Sequence, residues 1–217
     1  MTKLSGQQIA DADLDGWVNV GGELRTRVRT PDFASGLALV AAIGAAAEQL
    51  DHHPDLGLRY TQVDVTLSSH DAGGVTGRDI RLARRVSALA AEAGLRTEAA
   101  GVARLELALD SPEHRAVLPF WAAVLGLRDQ APEGIDDGLV DPGGVLPPMW
   151  FQRSGADEPR QRWHPDLWVN PADVQPRIDA AVAAGGSLVS DQAAPSFWVL
   201  ADPEGNRVCL CTWQDRD

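Results

Sequence analysis

Cysteine is nearly absent: the chain of 217 residues holds only Cys209 and Cys211. Two residues apart on what reads as a strand, they rarely bond to each other, and no disulfide framework is possible. They read as small buried side chains of a protein kept in a reducing compartment, and a cytoplasmic location is expected. Long apolar runs are missing as well. A membrane span needs about 18 apolar residues or more, and the Ala-rich segment SGLALVAAIGAAAEQL is shorter and ends in charge, so no transmembrane helix is expected. The start, MTKLSGQQ, lacks the basic-then-apolar pattern of a signal peptide. Basic charge is also in deficit. The net charge is −12, with 10 basic and 13 acidic side chains in residues 1–100 and 9 and 18 in residues 101–217. Neither part has the basic excess of a nucleic-acid binder, so direct binding of nucleic acid is not expected.

What is present is core-forming material. Hydrophobic residues make up 44% of the chain, and the length suits two domains of roughly 100 residues each. SGQQIADADL reads as a short helix capped by Ser5, with Ile9 and Leu14 as its apolar points. GWVNVGGELRTRVRT reads as two strands joined at Gly21 and Gly22. PDFASGLALVAAIGAAAEQL reads as a helix, with Pro31 near its start and Phe33, Leu37, Val40 and Ile43 on one face. LRYTQVDVTLSSH alternates as one strand. Val63, Val65 and Leu67 take one side; Tyr60, Gln62, Asp64, Thr66, Ser68 and His70 take the other. TGRDIRLARRVSALAAEAG is a helix opened by Thr76 and closed at Gly94. The order α-β-β-α-β-α predicts an α+β domain: a small antiparallel sheet with helices on one face.

A new pattern begins near residues 97–102. RLELALD reads as a strand and EHRAVLPFWAAVLGL as a helix ending at Gly126, followed by short strands among turns rich in Gly, Pro and Asp. DLWVN, ADVQPRIDAAVAAGG and the hairpin SFWVLADPEGNRVCLCTW then repeat the theme. The prediction is a pair of βαβββ repeats produced by internal duplication, and domains at residues 1–98 and 102–217.

The chemistry-bearing stretch is EQLDHHPD, residues 48–55. Its adjacent histidines, His52 and His53, point in divergent directions unless the chain is strained, which argues against one shared metal ion. Histidine exchanges protons near neutral pH, so general acid–base work is an alternative. Ordinary polar packing at a helix end is another. Pro54 is expected to stop the helix. Three of the five histidines, His52, His53 and His70, fall within nineteen residues around one strand. Asp79 fits a capping box with Thr76, which alone accounts for an acid there. Glu48 sits at a helix C-terminus, where an acid is unfavourable.

These residues together resemble the pterin-4a-carbinolamine dehydratases. The shared pattern is Glu48, then His52-His53-Pro54, Tyr60, His70 and Asp79, flanked by the similar stretches GW at 16–17, DF at 32–33 and VTLSSHDAGGVTGRDIRLA. The resemblance covers about residues 5–93. It implies a hydro-lyase that converts a 4a-hydroxytetrahydropterin to the quinonoid dihydropterin and water, with no cofactor and no metal. It further implies a homo-oligomer. By the same resemblance His52 and His70 transfer protons, His53 binds or assists, Asp79 orients a histidine or the pterin, and Glu48, Tyr60 and Pro54 complete the substrate site.

LALDSPEHRAVLPFWAAVLGL, RWHPDLWVNPADVQPRIDAAVAAGG and WVLADPEGNRVCLC resemble the glyoxalase-like branch of the vicinal oxygen chelate superfamily. That resemblance implies metal ligands at set strand positions. His164 occupies one and Gln152 lies near another, but Ala103 and Cys209 stand at two more, so a full ligand set is missing. Six of the seven tryptophans lie here, and they pack a core or line an aromatic pocket. Two other readings stand beside the dehydratase. One is a non-catalytic pterin-fold binding or assembly module. The other places an enzyme activity in the glyoxalase-like part.

Overall fold

The computed structural model describes residues 2–20, 22–100, 102, 107–130, 138–153, 165–168, 171–211 and 214–215. The chain divides into two compact units, Met1–Arg104 and Leu105–Asp217.

In the first unit, Ser5 opens α1 (Gly6–Ala10) with a reciprocal capping box. Its hydroxyl accepts from the Gln8 N–H, and the Gln8 side chain accepts from the Ser5 N–H. Strands β1 (Val18–Val20) and β2 (Glu23–Arg29) form the expected hairpin. Helix α2 runs from Phe33 to Leu50, capped by Asp32, whose carboxylate accepts from the Ser35 N–H and is held below its ordinary pKa by that bond. The segment expected to be one strand is two. β3 (Asp55–Arg59) and β4 (Gln62–Leu67) pair antiparallel across Tyr60 and Thr61. Leu56 and Leu58 alternate as a strand requires, with Gly57 between them. Helix α3 (Gly77–Glu92) and β5 (Thr97–Glu98) complete the unit, and the sheet order is β1-β2-β4-β3, with β5 also on β2. Both long helices pack into the same sheet face. Val63, Val65 and Leu67 are fully buried, as their alternation predicts, against Leu39 and Ile43 of α2 and Leu82, Ala83 and Val86 of α3.

The face that α2 presents to this core matches the expected one in part: Ile43 is fully buried and Val40 packs against the core, but Phe33 and Leu37 lie outside it. Its buried stripe is Gly36, Leu39, Ile43, Ala46 and Ala47. Phe33 and Leu37 are 47% and 53% exposed. The reason is close approach: a Cβ on Gly36 would lie 2.7 Å from Leu58 Cδ1. At that point only a glycine lets the helix settle this near the sheet, and the helix is then turned so that Leu39 and Ile43 face the core while Phe33 and Leu37 face outward. α2 is by length and composition long and apolar enough to cross a membrane, contrary to the expectation. Here its small-residue stripe packs on the sheet.

The second unit consists of two βαβββ modules of identical topology. In one, β6 (Leu107–Ser111) and α4 (His114–Leu125) precede β7 (Arg128–Asp129), β8 (Gly138–Val140) and β9 (Met149–Arg153), in sheet order β6-β9-β8-β7. In the other, β10 (Asp166–Trp168) and α5 (Pro171–Ala183) precede β11 (Ser187–Ser190), β12 (Phe197–Ala201) and β13 (Arg207–Cys211), in order β10-β13-β12-β11. In each module the first strand pairs parallel with the last and the others pair antiparallel. α4 ends at Gly126, as expected, and that glycine takes the left-handed conformation with φ +70°. Trp121 belongs to the core of this unit and not to a ligand pocket: it is 2% exposed.

The turn DPEGN is held by Asp202, which is 4% exposed. One carboxylate oxygen accepts from the Glu204 and Asn206 N–H groups; the other accepts from Asn206 Nδ2 and from Trp121 Nε1 at 3.1 Å. Removing that carboxylate strands several buried donors, each costing about 1–3 kcal/mol. Asp202→Ala is therefore expected to destabilise the second unit by about 3 kcal/mol. Denaturant midpoints followed by tryptophan fluorescence check this.

Candidate active site

The site is built at the ends of three elements. The first is the C-terminus of α2. Asp51 adopts the left-handed conformation, φ +46°, and its N–H returns to the Ala47 and Glu48 carbonyls. Asp is among the few non-glycine residues that tolerate this region. The His52 N–H then reaches back to the Ala47 carbonyl at 3.1 Å, the wrapped ending that commonly closes a helix. The stop therefore lies at Asp51, ahead of the expected Pro54, which instead leads into β3.

Beyond the left-handed residue the two imidazoles diverge. His52 turns inward, is 8% exposed, and places Nε2 2.7 Å from Asp79 Oδ1. His53 turns outward, with 58% of its side chain exposed, and places Nε2 3.0 Å from Glu48 Oε1. The second element is the end of β4, where Ser69 and Gly74 form an isolated bridge enclosing a 3-10 turn, His70–Ala72. His70 is exposed at the start of that turn. The third is the N-terminus of α3. Asp79, fully buried, completes the capping box: its Oδ2 accepts from the Thr76 N–H at 2.7 Å while Thr76 Oγ1 accepts from the Arg78 N–H.

The capping reading and the site reading of Asp79 thus hold together. Its Oδ2 takes the Thr76 N–H and the Ser69 hydroxyl, each at 2.7 Å, with the Thr76 hydroxyl oxygen 3.1 Å away; its Oδ1 takes His52. A carboxylate only accepts, so the short contact to His52 is an Nε2–H donating. In a neutral ring with that proton on Nε2, the lone pair sits on Nδ1, which has no hydrogen-bond partner among the described residues. Arg78 also pairs with Asp71, which ties the turn behind His70 to the start of α3. The hydrogen bond from Arg78 holds the Asp71 carboxyl below its ordinary pKa.

Of the residues predicted for the site, the structure joins His52 to Asp79 and, separately, His53 to Glu48. His70 follows Ser69 directly, so the strand end that touches Asp79 also carries His70. Among the described residues no hydrogen bond joins one imidazole to another. Tyr60 does not come to this cluster. It is 74% exposed in the β3–β4 turn, beyond the Arg59–Gln62 pair, whereas His52 precedes the opposite end, where Asp55 pairs with Thr66. Ser69 was not singled out in the sequence, although a signal exists. It continues the alternation of Val63, Val65 and Leu67 into the buried face, where a hydroxyl needs a partner. Of the metal-ligand positions considered for the glyoxalase-like part, His164 and Ala103 lie outside the described residues, and Cys209 is buried at 7% exposure. Among the described residues no three His, Cys, Asp or Glu side chains gather as a metal-binding group.

The family model for pterin 4 alpha carbinolamine dehydratase matches residues 2–89, and that for a glyoxalase-like domain matches residues 106–211. A protein of Nocardia farcinica (strain IFM 10152) named "Putative pterin-4-alpha-carbinolamine dehydratase" is 47% identical over 89 residues, which cover 40% of this chain and 94% of that protein. One of the same name from Roseiflexus castenholzii (strain DSM 13941 / HLO8) is 43% identical over 74 residues, covering 34% of this chain and 80% of its own length. A solved structure from Brucella melitensis, titled transcriptional coactivator/pterin dehydratase, is 35% identical, with 41% of this chain and 98% of that chain covered and a TM-score of 0.39. Through the segment that contains His52, His70 and Asp79, the chain belongs to the pterin-4-alpha-carbinolamine dehydratase family, and a glyoxalase-like domain follows it.

Proposed function

We propose that the first unit dehydrates a 4a-hydroxytetrahydropterin to the quinonoid dihydropterin by proton transfer through histidine. The observation that carries this reading is the 2.7 Å contact from His52 to the fully buried Asp79. In the reaction the bond from C4a to its hydroxyl breaks, the hydroxyl leaves as water after gaining a proton, and a ring nitrogen gives one up. No electrons leave the molecule. Each half of the task is general acid–base work of the kind an imidazole performs near neutral pH.

Asp79 anchors Nε2 of His52 and so leaves the lone pair on Nδ1, which suits His52 to take the ring proton there. His70, exposed on the adjoining turn, suits delivery of a proton to the departing hydroxyl. His53 and Glu48, paired on the exposed side of the same helix end, suit contact with the polar edge of a pterin. The family membership and the printed names of the relatives support the same substrate class.

The protein is further read as a homo-oligomer. Helix α2 carries no charged residue from Phe33 to Ala47, and its outer face exposes Phe33 and Leu37 with Ala34, Ala38, Ala41 and Ala45. An uncharged apolar patch on a helix is the surface that a second copy covers. Leu37→Glu is expected to shift the species seen by analytical ultracentrifugation toward the monomer, with the circular dichroism of the wild type retained.

Dehydration of an enzymatically generated 4a-hydroxytetrahydropterin, followed by absorbance, tests the activity. His52→Ala and His70→Ala are each expected to slow it by about 10²-fold or more, the scale of one proton-transfer group. Asp79→Asn is expected to slow it comparably, because an amide that donates to Nε2 drives the ring into the opposite tautomer. Wild-type protein no faster than buffer overturns the reading.

A further inference from the structure

Ser69 lies at the one point where the two halves of the site meet. Its backbone fixes the turn that carries His70: the Ser69 N–H donates to the Gly74 carbonyl at 3.0 Å, and the Ser69 carbonyl accepts from Ala72 and Gly74 at 3.0 and 3.3 Å. Its side chain fixes Asp79, with the hydroxyl 2.7 Å from Oδ2 and 2.8 Å from Thr76 Oγ1. Ser69 is 1% exposed and Thr76 fully buried, so water does not substitute for either hydroxyl.

The protons decide what each hydroxyl does. Each has one to give. Thr76 Oγ1 already accepts from the Arg78 N–H at 3.1 Å. The shortest contacts are satisfied when Ser69 donates to Asp79 and Thr76 donates to Ser69, a relay that ends on the carboxylate. With Oδ2 filled by Ser69 and the Thr76 N–H, Oδ1 is left as the acceptor for His52.

We infer that Ser69 is a positioning residue for the dehydration: its hydroxyl occupies Asp79 Oδ2, so that Oδ1 alone faces His52 and holds that ring as the Nε2–H tautomer. This rests on the dehydratase reading for its kinetic consequence and on geometry for its structural one. Without the hydroxyl, Oδ2 keeps only the donors of Thr76, and the carboxylate loses its tie to the end of β4. The acceptor for Nε2–H is then held less firmly in place, and the preference of the ring for the Nε2–H tautomer weakens. The step affected is proton transfer and not substrate binding, because Ser69 is buried behind the histidine.

The test is Ser69→Ala beside Ser69→Thr in the full chain. Two measurements are made: dehydration kinetics, and the ¹⁵N chemical shifts of the His52 ring, assigned by comparison with His52→Ala. Ser69→Ala is expected to lower kcat by about 10- to 100-fold, the scale for groups that orient a working histidine from behind, with KM within about two-fold of wild type. Its His52 ring nitrogens are expected to move from the Nε2–H pattern toward averaged values. Ser69→Thr, which keeps the hydroxyl, is expected to restore both. Wild-type ring shifts in Ser69→Ala overturn the inference, whatever the rate. So does a loss of kcat in Ser69→Ala that Ser69→Thr does not rescue when its ring shifts are those of the wild type. If the wild type does not dehydrate the pterin, the functional reading fails by itself, and the ring shifts still decide whether Ser69 governs His52.

Discussion

The buried carboxylate of Asp79 is the constraint around which the first unit is arranged. A carboxylate at zero exposure is unfavourable by several kcal/mol unless its lone pairs are met by donors. Here they are met from three directions: the start of its own helix, the end of β4 through Ser69, and the end of α2 through His52. Each donor belongs to an element whose position is otherwise set by apolar packing on the sheet. Val63, Val65 and Leu67 bring β4 to α3, and Leu39 and Ile43 bring α2 alongside. Burial thus carries three chain ends to one point, and the carboxylate joins them by directional bonds that packing alone does not supply.

How far this was readable from the sequence depends on which physical signal each element carries. Alternation of large β-branched residues is strong in β4, and Val63, Val65 and Leu67 are buried as expected. The cap at Ser5, the capping box at Thr76 and the DPEGN turn rest on short-range hydrogen-bond chemistry and are present where the residues placed them. β3 was hidden because its alternation is carried by Leu56 and Leu58 alone, with Gly57 between them and the histidine stretch before it. The face of α2 is legible only in part, for a different reason. Helical spacing of large apolar residues selects Phe33, Leu37, Val40 and Ile43; Val40 and Ile43 do pack against the core, but the buried stripe also runs through Gly36, Ala46 and Ala47, which are nearly silent in any hydrophobicity pattern.

The site divides the same way. The resemblance marks both His52 and Asp79 but leaves open whether Asp79 orients a histidine or the pterin; the structure places it against His52. Tyr60 was included by spacing along the chain, yet distance along a hairpin is not distance in space. The register that places Asp55 opposite Thr66 puts the turn at the far end. Ser69 carries no rare chemistry, and only its parity with the buried face marks it. A hydroxyl in that position is visible once the question becomes where each buried polar group finds its partner.

The adjacent histidines illustrate how the ending of a helix acts as a chemical device. A helix that ran on regularly past Leu50 would send His52 and His53 to positions about 100° apart on one continuing surface. The left-handed turn at Asp51 replaces that rotation with a reversal of the chain, and the His52 N–H locks it by bonding to Ala47. One imidazole is thereby driven against a buried carboxylate and the other is left beside Glu48 in solvent. Two identical side chains acquire different surroundings from a single backbone conformation. The residue that sets it, Asp51, acts here through its backbone conformation. The same bond that terminates the helix also places the ring proposed for proton transfer, so a substitution at Asp51 that straightened the chain would disturb the helix ending and the contact from His52 to Asp79 together.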